Sequence, residues 1–473
     1  MNTVPRAKET EFKGRAVTLN KTEYIKGEGL KPEEYIIEIS ENGNACITYS
    51  DNAGRIYAEQ TMKQLSSDGK RVPLCRIRDY PSFYYRGYML DCARHMFNVD
   101  EIKKLADAMA LLKFNKFHWH LTDDQGWRIE SERYPILNSV SAVRKFSSFG
   151  KKKENSAYGR VYTKAEIKEV IEYCGEREIE VIPEFDIPGH TSALLAAFPE
   201  LSCGKSEIEV KTHQGIFKDV ICLSNEKSLE VILNIFDEIC ELFPGKYIHI
   251  GGDETPKAQW EACPECRNEM AKLGINGYKE YQNSFTNKVI EHLEGKGKTC
   301  IVWNDAAEGK NLDRRAIVQY WKEKSAPSAE FANSGGRLIL SPFTYYYTDY
   351  DYNITPLNRT LSFKPEIRGL NEKSSVLGLE VPIWTEYIDS NERLEEMLFP
   401  RAAAVAETAW SGKTADYTDF TERFENTEKL LKQIGINAAD KSLWKRSRAS
   451  MPLGWLKFVK DNYSLEYIKW AIK

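Results

Sequence analysis

The stretch Lys246-Tyr247-Ile248-His249-Ile250-Gly251-Gly252-Asp253-Glu254-Thr255-Pro256 places two neighbouring carboxylates after a short apolar run and two glycines. Carboxylic acids in such a position can transfer protons to a reacting group or stabilise a cation developing on one. Tyr247, Ile248 and Ile250 have the aromatic and β-branched character of a buried strand. Gly251 and Gly252 end that strand and permit backbone angles that other residues avoid. Asp253 and Glu254 then fall at the strand's carboxyl end, where parallel α/β folds build their sites. Alone, the same residues read equally well as a solvated acidic turn.

The company they keep decides against the turn. Eight strand-like runs alternate with amphipathic segments, and the spacing predicts strands over Gly87–Asp91, Lys116–Leu121, Glu180–Phe185, Tyr247–Ile250, Cys300–Trp303, Ala316–Tyr320, Arg337–Leu340 and Val376–Ile383. Thr163-Lys164-Ala165-Glu166 reads as a capping box that opens one of the intervening helices. Eight such units predict a (β/α)8 TIM barrel, whose strand ends converge on one mouth. Each expected end carries polar or aromatic residues: Arg94 and His95 after the first, and Asp123 and Asp124 after the second. Glu184, Asp186 and His190 follow the third, Asp253 and Glu254 the fourth, and Trp303-Asn304-Asp305 the fifth. Trp321 ends the sixth, Tyr346, Tyr347 and Asp349 follow the seventh, and Trp384 and Glu386 end the eighth. Glu380 and Pro382 are unusual inside a central strand.

Around this barrel, expected over 81–425, residues 1–80 predict a small α/β accessory domain and residues 426–473 closing helices. In the first unit, Tyr35–Ile39 and Ala45–Tyr49 read as strands joined by the turn Glu41-Asn42-Gly43-Asn44, and a helix is expected from Gly54 to Leu65. Val72-Pro73 and Tyr80-Pro81 read as punctuation at the join. Trp444, Trp455 and Trp470 are expected to be packing aromatics.

This combination resembles glycoside hydrolase family 20, the β-N-acetylhexosaminidases. The likeness is carried by Asp79-Tyr80-Pro81, Arg86-Gly87-Tyr88-Met89-Leu90-Asp91, His120-Leu121-Thr122-Asp123-Asp124-Gln125-Gly126-Trp127-Arg128, Pro188-Gly189-His190, Gly251-Gly252-Asp253-Glu254 and Trp384-Thr385-Glu386. The N-terminal unit looks like a shortened form of that family's accessory domain. Residues adjacent in sequence are expected to diverge, so Asp253 and Glu254 do not suit the ordinary pairing of nucleophile and acid. Attack by the substrate's own 2-acetamido oxygen is this family's exception to that scheme. The resemblance implies Glu254 as general acid and later base, and Asp253 as the group that orients the acetamide and stabilises the oxazolinium. An ionised Asp253 would raise the pKa of Glu254 by like-charge repulsion. Trp303, Trp321 and Trp384 resemble the aromatic box around the sugar, and Tyr347, with Tyr346 as the alternative, the tyrosine on the acetamide carbonyl. Arg94, Asp349 and Glu386 resemble the residues that grip the terminal sugar's hydroxyls, which implies exo action. His190 and Asp123, with Asp124 the alternative, resemble the support of the acid, with Asp186 beside them. No cofactor is implied, and the loop 350–365 lacks the further tryptophan that many members carry there.

Composition narrows the partners. The 473 residues carry a net charge of -4, which offers no basic footprint for nucleic acid or anionic membrane. No run approaches the length of a membrane span, and no apolar leader follows Met1, so a cytoplasmic protein is expected. Ten tryptophans and 25 tyrosines hint at sugar stacking. The ten cysteines are scattered, and Cys263-Pro-Glu-Cys266 without a second pair is not taken as a metal site. A metal hydrolase built on His118, His120 and His190 is set aside because His118 and His120, alternating along one strand, are expected to face opposite ways. A catalytically silent sugar-binding barrel and a disaccharide-releasing enzyme stand as the competing readings of the same rim.

Overall fold

The computed structural model describes residues 3–66, 70–447 and 451–462. Its N-terminal unit is one sheet and one helix. Strands β1 (Glu9–Thr18), β2 (Lys21–Lys26), β3 (Tyr35–Ile39), β4 (Asn44–Tyr49) and β5 (Arg71–Asp79) lie in the order β1-β5-β3-β4-β2. β3 and β4 form the expected antiparallel hairpin. β1 and β2 escape a sequence reading because they are exposed along almost their whole length, so no alternation of burial marks them. Val72-Pro73 is not a join but part of β5, where Pro73 pairs with Ala16 beside a register shift in β1. Proline is tolerated at such an irregularity because no ladder hydrogen bond is asked of it.

The helix Asn52–Leu65 starts at Asp51, whose side chain accepts from the Gly54 N–H. Its Ile56, Tyr57 and Ala58 close over Tyr35, Ile37 and Ile47 together with Trp410, which comes from the barrel helix Arg401–Ser411. Asp79, at the end of β5, seals this junction. It accepts from Trp410 Nε1 at 2.8 Å and Tyr35 Oη at 2.5 Å, and pairs with Lys113 Nζ at 3.0 Å.

The remaining strands are β6 (Tyr85–Asp91), β7 (Lys116–His120), a two-residue ribbon of β8 (Thr122–Asp123) and β9 (Gly126–Trp127), β10 (Glu180–Glu184), β11 (Tyr247–His249), β12 (Thr299–Trp303), β13 (Ile317–Tyr320), β14 (Arg337–Leu340) and β15 (Val376–Ile383). All but the ribbon close into a parallel eight-stranded barrel. The expected runs are its staves, with ends moved by a residue or two. The capping box forms as expected, Thr163 and Glu166 each bonding the other's backbone at the start of the helix Lys164–Gly175.

The interior is built in layers. Tyr85, Ile182, Tyr247, Ile301, Ile317 and Ile339 make a buried, largely apolar plug. Side chains on a strand share a face every second residue, so the next inward residues toward the carboxyl ends are Glu184, His249, Trp303 and Gln319. The same period corrects the reading of His118 and His120. Being two apart, they face the same way, and both contact Glu184 (His118 Nε2 at 3.0 Å). Glu380 belongs to this polar layer too, held by Tyr85 Oη at 2.5 Å, His118 Nδ1 at 3.0 Å and Gln319 Nε2 at 2.6 Å. Burial opposes a charge on His118, but Glu380 and Glu184 push it up to about 9.

The boundary expected at 425 falls inside one helix, Tyr417–Ile434, because Phe420, Phe424, Thr427 and Leu431 form a single continuous buried stripe. Trp444 packs edge-on against Phe424 at 5.7 Å and Trp455 against Tyr350 at 5.1 Å, whereas Trp470 lies outside the described residues. Among the described residues no helix is long and apolar enough to cross a membrane. Cys263 and Cys266, read as a solitary pair, are joined in space by Cys203 and Cys222.

Candidate active site

After β11 the chain turns through Gly251 at φ +65° and Gly252 at φ +104°, and reaches Glu254 at φ +42°. A Cβ on Gly251 would lie 1.6 Å from Asp186 Oδ1, so only glycine fits. Asp186 Oδ1 instead accepts the Gly252 N–H at 3.0 Å. Glu254, and His190 at φ +52°, hold a left-handed backbone that costs a non-glycine residue about 1–3 kcal/mol. The Glu254 N–H points at Asp305 Oδ1, 3.4 Å away.

This turn brings the two carboxylates together. An oxygen of Asp253, one of Glu254 and a ring nitrogen of His190 lie within 4.8 Å of one another. The divergence expected of sequence neighbours is therefore not what the structure has, because the positive φ at Glu254 redirects its side chain. What distinguishes the two acids is environment. Asp253 is buried, and Glu254 keeps about a quarter of its side chain in solvent, 3.8 Å from Lys322 Nζ. Burial, opposed by His190 and reinforced by Asp305 and Glu254, pushes the Asp253 carboxyl up to about 7.

His190 is held from behind. Its Nδ1 lies 3.2 Å from both Asp123 Oδ1 and Asp124 Oδ2, and its Nε2 3.8 Å from Asp253 Oδ2. Asp123 also pairs with Arg94 Nη2 at 2.7 Å and reaches the cavity, whereas Asp124 is tied to Ser192.

The cavity above them, of about 310 Å³, suits one sugar-sized ligand. Trp321 and Tyr347 stack at 6.0 Å with 16° between their planes, and Trp384 follows at 6.3 Å from Tyr347. Tyr346 turns away into the core against Phe363. Opposite, Arg94 is gripped by Asp91 at 3.2 Å and Gln125 at 2.8 Å, and lies 3.9 Å from Glu386. Burial and then Glu386 push Asp349 up to about 8, and its Oδ1 has no protein partner. Such a buried oxygen is ready for a ligand hydroxyl.

Every site residue expected from sequence borders this cavity except Asp186 and Trp303. Asp186 lies beneath the glycine turn. Trp303 is 1% exposed, donates to Glu184 at 2.8 Å and backs Trp384 at 5.9 Å. Both support the wall from one layer down. Sequence reasoning gave no role to Asp305, which accepts from Trp321 Nε1 at 3.0 Å and pairs with Lys322 at 2.6 Å. Its place directly after a strand was the available signal. Gln214, Gly215 and Ile216, also at the cavity, carry no such signal because they sit in a long loop.

A parallel barrel with paired carboxylates beside an aromatic-walled cavity at its carboxyl rim has the parts that glycosidic cleavage needs. The chain belongs to glycosyl hydrolase family 20: residues 83–413 match the family's catalytic domain and residues 2–80 its domain 2. It is 35% identical over 433 residues to a beta-hexosaminidase of Porphyromonas gingivalis, covering 86% of this chain and 55% of that protein. A beta-hexosaminidase of Akkermansia muciniphila is 33% identical over 400 residues, 81% of this chain and 80% of its own length. The chain thus spans little more than half of the first relative and most of the second. Among solved structures, an exo-beta-N-acetylglucosaminidase from Vibrio harveyi bound to N-acetylglucosamine superposes with TM-score 0.83 at 27% identity, over 94% of this chain and 79% of that one. A beta-N-acetylhexosaminidase from Bacteroides fragilis gives 0.82 at 27% identity, over 94% and 99%.

Proposed function

We propose that this chain is an exo-acting, retaining β-N-acetylhexosaminidase that removes terminal non-reducing β-linked GlcNAc or GalNAc from glycans. The observation that carries the reading is a buried Asp253, next to Glu254, at the foot of the Trp321–Tyr347–Trp384 wall. Glu254 protonates the leaving oxygen while the substrate's acetamido oxygen attacks the anomeric carbon, giving an oxazolinium ion. Asp253 accepts the acetamide N–H, which favours its anion and balances the developing positive charge. Water, deprotonated by Glu254, then opens the ring with net retention. His190, backed by Asp123, steadies Asp253. Arg94, Glu386 and Asp349 close the far end around sugar hydroxyls, which supports exo action over release of a disaccharide. The names of the relatives above support the same substrate class.

Glu254→Gln tests the assignment. Hydrolysis of an aryl β-GlcNAc should fall by at least about a thousandfold while GlcNAc binding, read by calorimetry, survives. Activity within tenfold of wild type would remove Glu254 from the mechanism. Tight saccharide binding by the wild type with no turnover of any aryl hexosaminide would favour the silent binding barrel. A cytoplasmic setting belongs to the same proposal, supported by ten cysteines none of which is paired in a disulfide, and cell fractionation checks it.

A further inference from the structure

The pair Cys263-Pro-Glu-Cys266 meets two cysteines from a different loop. Cys203 follows the turn Pro199–Leu201, and Cys222 precedes the helix Glu226–Leu242. The four sulfurs all lie within 4.8 Å of one another. Cys266 Sγ is 3.8 Å from Cys203 Sγ and 3.7 Å from Cys222 Sγ. A tetrahedron of sulfurs about 2.3 Å from a central zinc has edges of about 3.8 Å, whereas a disulfide needs about 2.0 Å. Cys222, Cys263 and Cys266 are buried and Cys203 is half-buried, so the centre of the cluster is shielded. Backbone N–H groups already point at the sulfurs, that of Cys266 at Cys263 and that of Ser224 at Cys266. Such bonds orient and stabilise metal-bound thiolates.

We propose that Cys203, Cys222, Cys263 and Cys266 bind one zinc ion as a closed four-thiolate site that clamps two loops of the catalytic mouth. Four sulfur donors in tetrahedral array select zinc or iron, and full coordination leaves no open position for chemistry. Zinc entry expels the four thiol protons. The clamp acts on structure. The chain between Cys203 and Cys222 carries Gln214, Gly215 and Ile216 to the cavity, and the chain between Glu254 and Cys263 is the exit of the catalytic turn. Trp260 Nε1 donates to Ile221 O at 2.9 Å between the two segments. Gln259 Nε2 reaches Asp219 Oδ1 at 3.5 Å across the same seam, and the ion fastens together what these bonds join.

Elemental analysis of the full chain, purified under reductant without added metal, tests this. About one zinc per chain is expected, resistant to EDTA and released into a zinc-sensitive dye as a mercurial titrates the thiols. Cys203→Ser and the pair Cys263→Ser/Cys266→Ser should lose it, with a lower Tm. Should those variants not fold, cobalt exchanged into the wild type should show the intense near-ultraviolet charge-transfer bands of a tetrathiolate. Glu254→Gln should keep its zinc, so the count stands apart from the catalytic assignment. Less than about a tenth of an equivalent after reconstitution with zinc, iron in its place, or disulfides among these four cysteines would each overturn the proposal.

Discussion

At the scale of single residues, the site separates two adjacent carboxyl groups by environment rather than by distance. Asp253, raised to about 7 by burial, with Asp305 and Glu254 adding to it, is protonated below that value and ionised above it. If its anion meets the oxazolinium, the acid limb of the kcat/KM profile should rise with pH through about 7. In Asp253→Asn that limb should vanish along with about 10²–10³ of kcat/KM, the usual cost of removing one electrostatic stabiliser. An unchanged acid limb in the variant would assign it to another group.

At the scale of elements, the catalytic turn depends on a glycine that nothing can replace. The Cβ of Gly251→Ala would collide with Asp186 Oδ1 and also require alanine at φ +65°. A cost of about 2–5 kcal/mol is expected, seen as a lower Tm, with kcat falling as the turn shifts Glu254. A variant with wild-type Tm and kcat would mean that Asp186 yields freely. The layers beneath behave in the opposite sense. Glu184 accepts from Trp303 Nε1 and contacts His118, His120 and His249, so the floor of the site is a paired polar layer and not a tunable surface.

At the scale of the molecule, the N-terminal sheet is fastened to the barrel by Asp79, which serves Lys113, Trp410 and Tyr35 at once. Asp79→Ala leaves Lys113 buried with the Tyr35 hydroxyl at 2.7 Å but without its carboxylate, and such losses cost about 3–5 kcal/mol. Denaturant unfolding should show that loss, or an early separate transition for the N-terminal unit. kcat/KM of the folded fraction should hold, because Asp79 does not border the cavity. A loss below about 1 kcal/mol would mean that the apolar seam around Trp410 and the contacts of Arg86 with Tyr57 and Glu33 hold the junction without Asp79.

Much of this protein is legible in its sequence because strand period, glycine and proline placement and helix caps are local properties. The eight staves, the box at Thr163 and the polar strand ends all follow from residues a few positions apart. β1 and β2 were illegible because exposure removes the alternation that marks a strand, and the closing helix crossed its expected boundary because its stripe is defined by what it packs against. Whether Tyr346 or Tyr347 faces the cavity depends on the turn after β14, and the convergence of Asp253 with Glu254 depends on one left-handed backbone angle. Four cysteines spread from 203 to 266 become one cluster only when two loops meet. These choices are made by long-range packing, in which residues far apart in the chain exclude all but one arrangement.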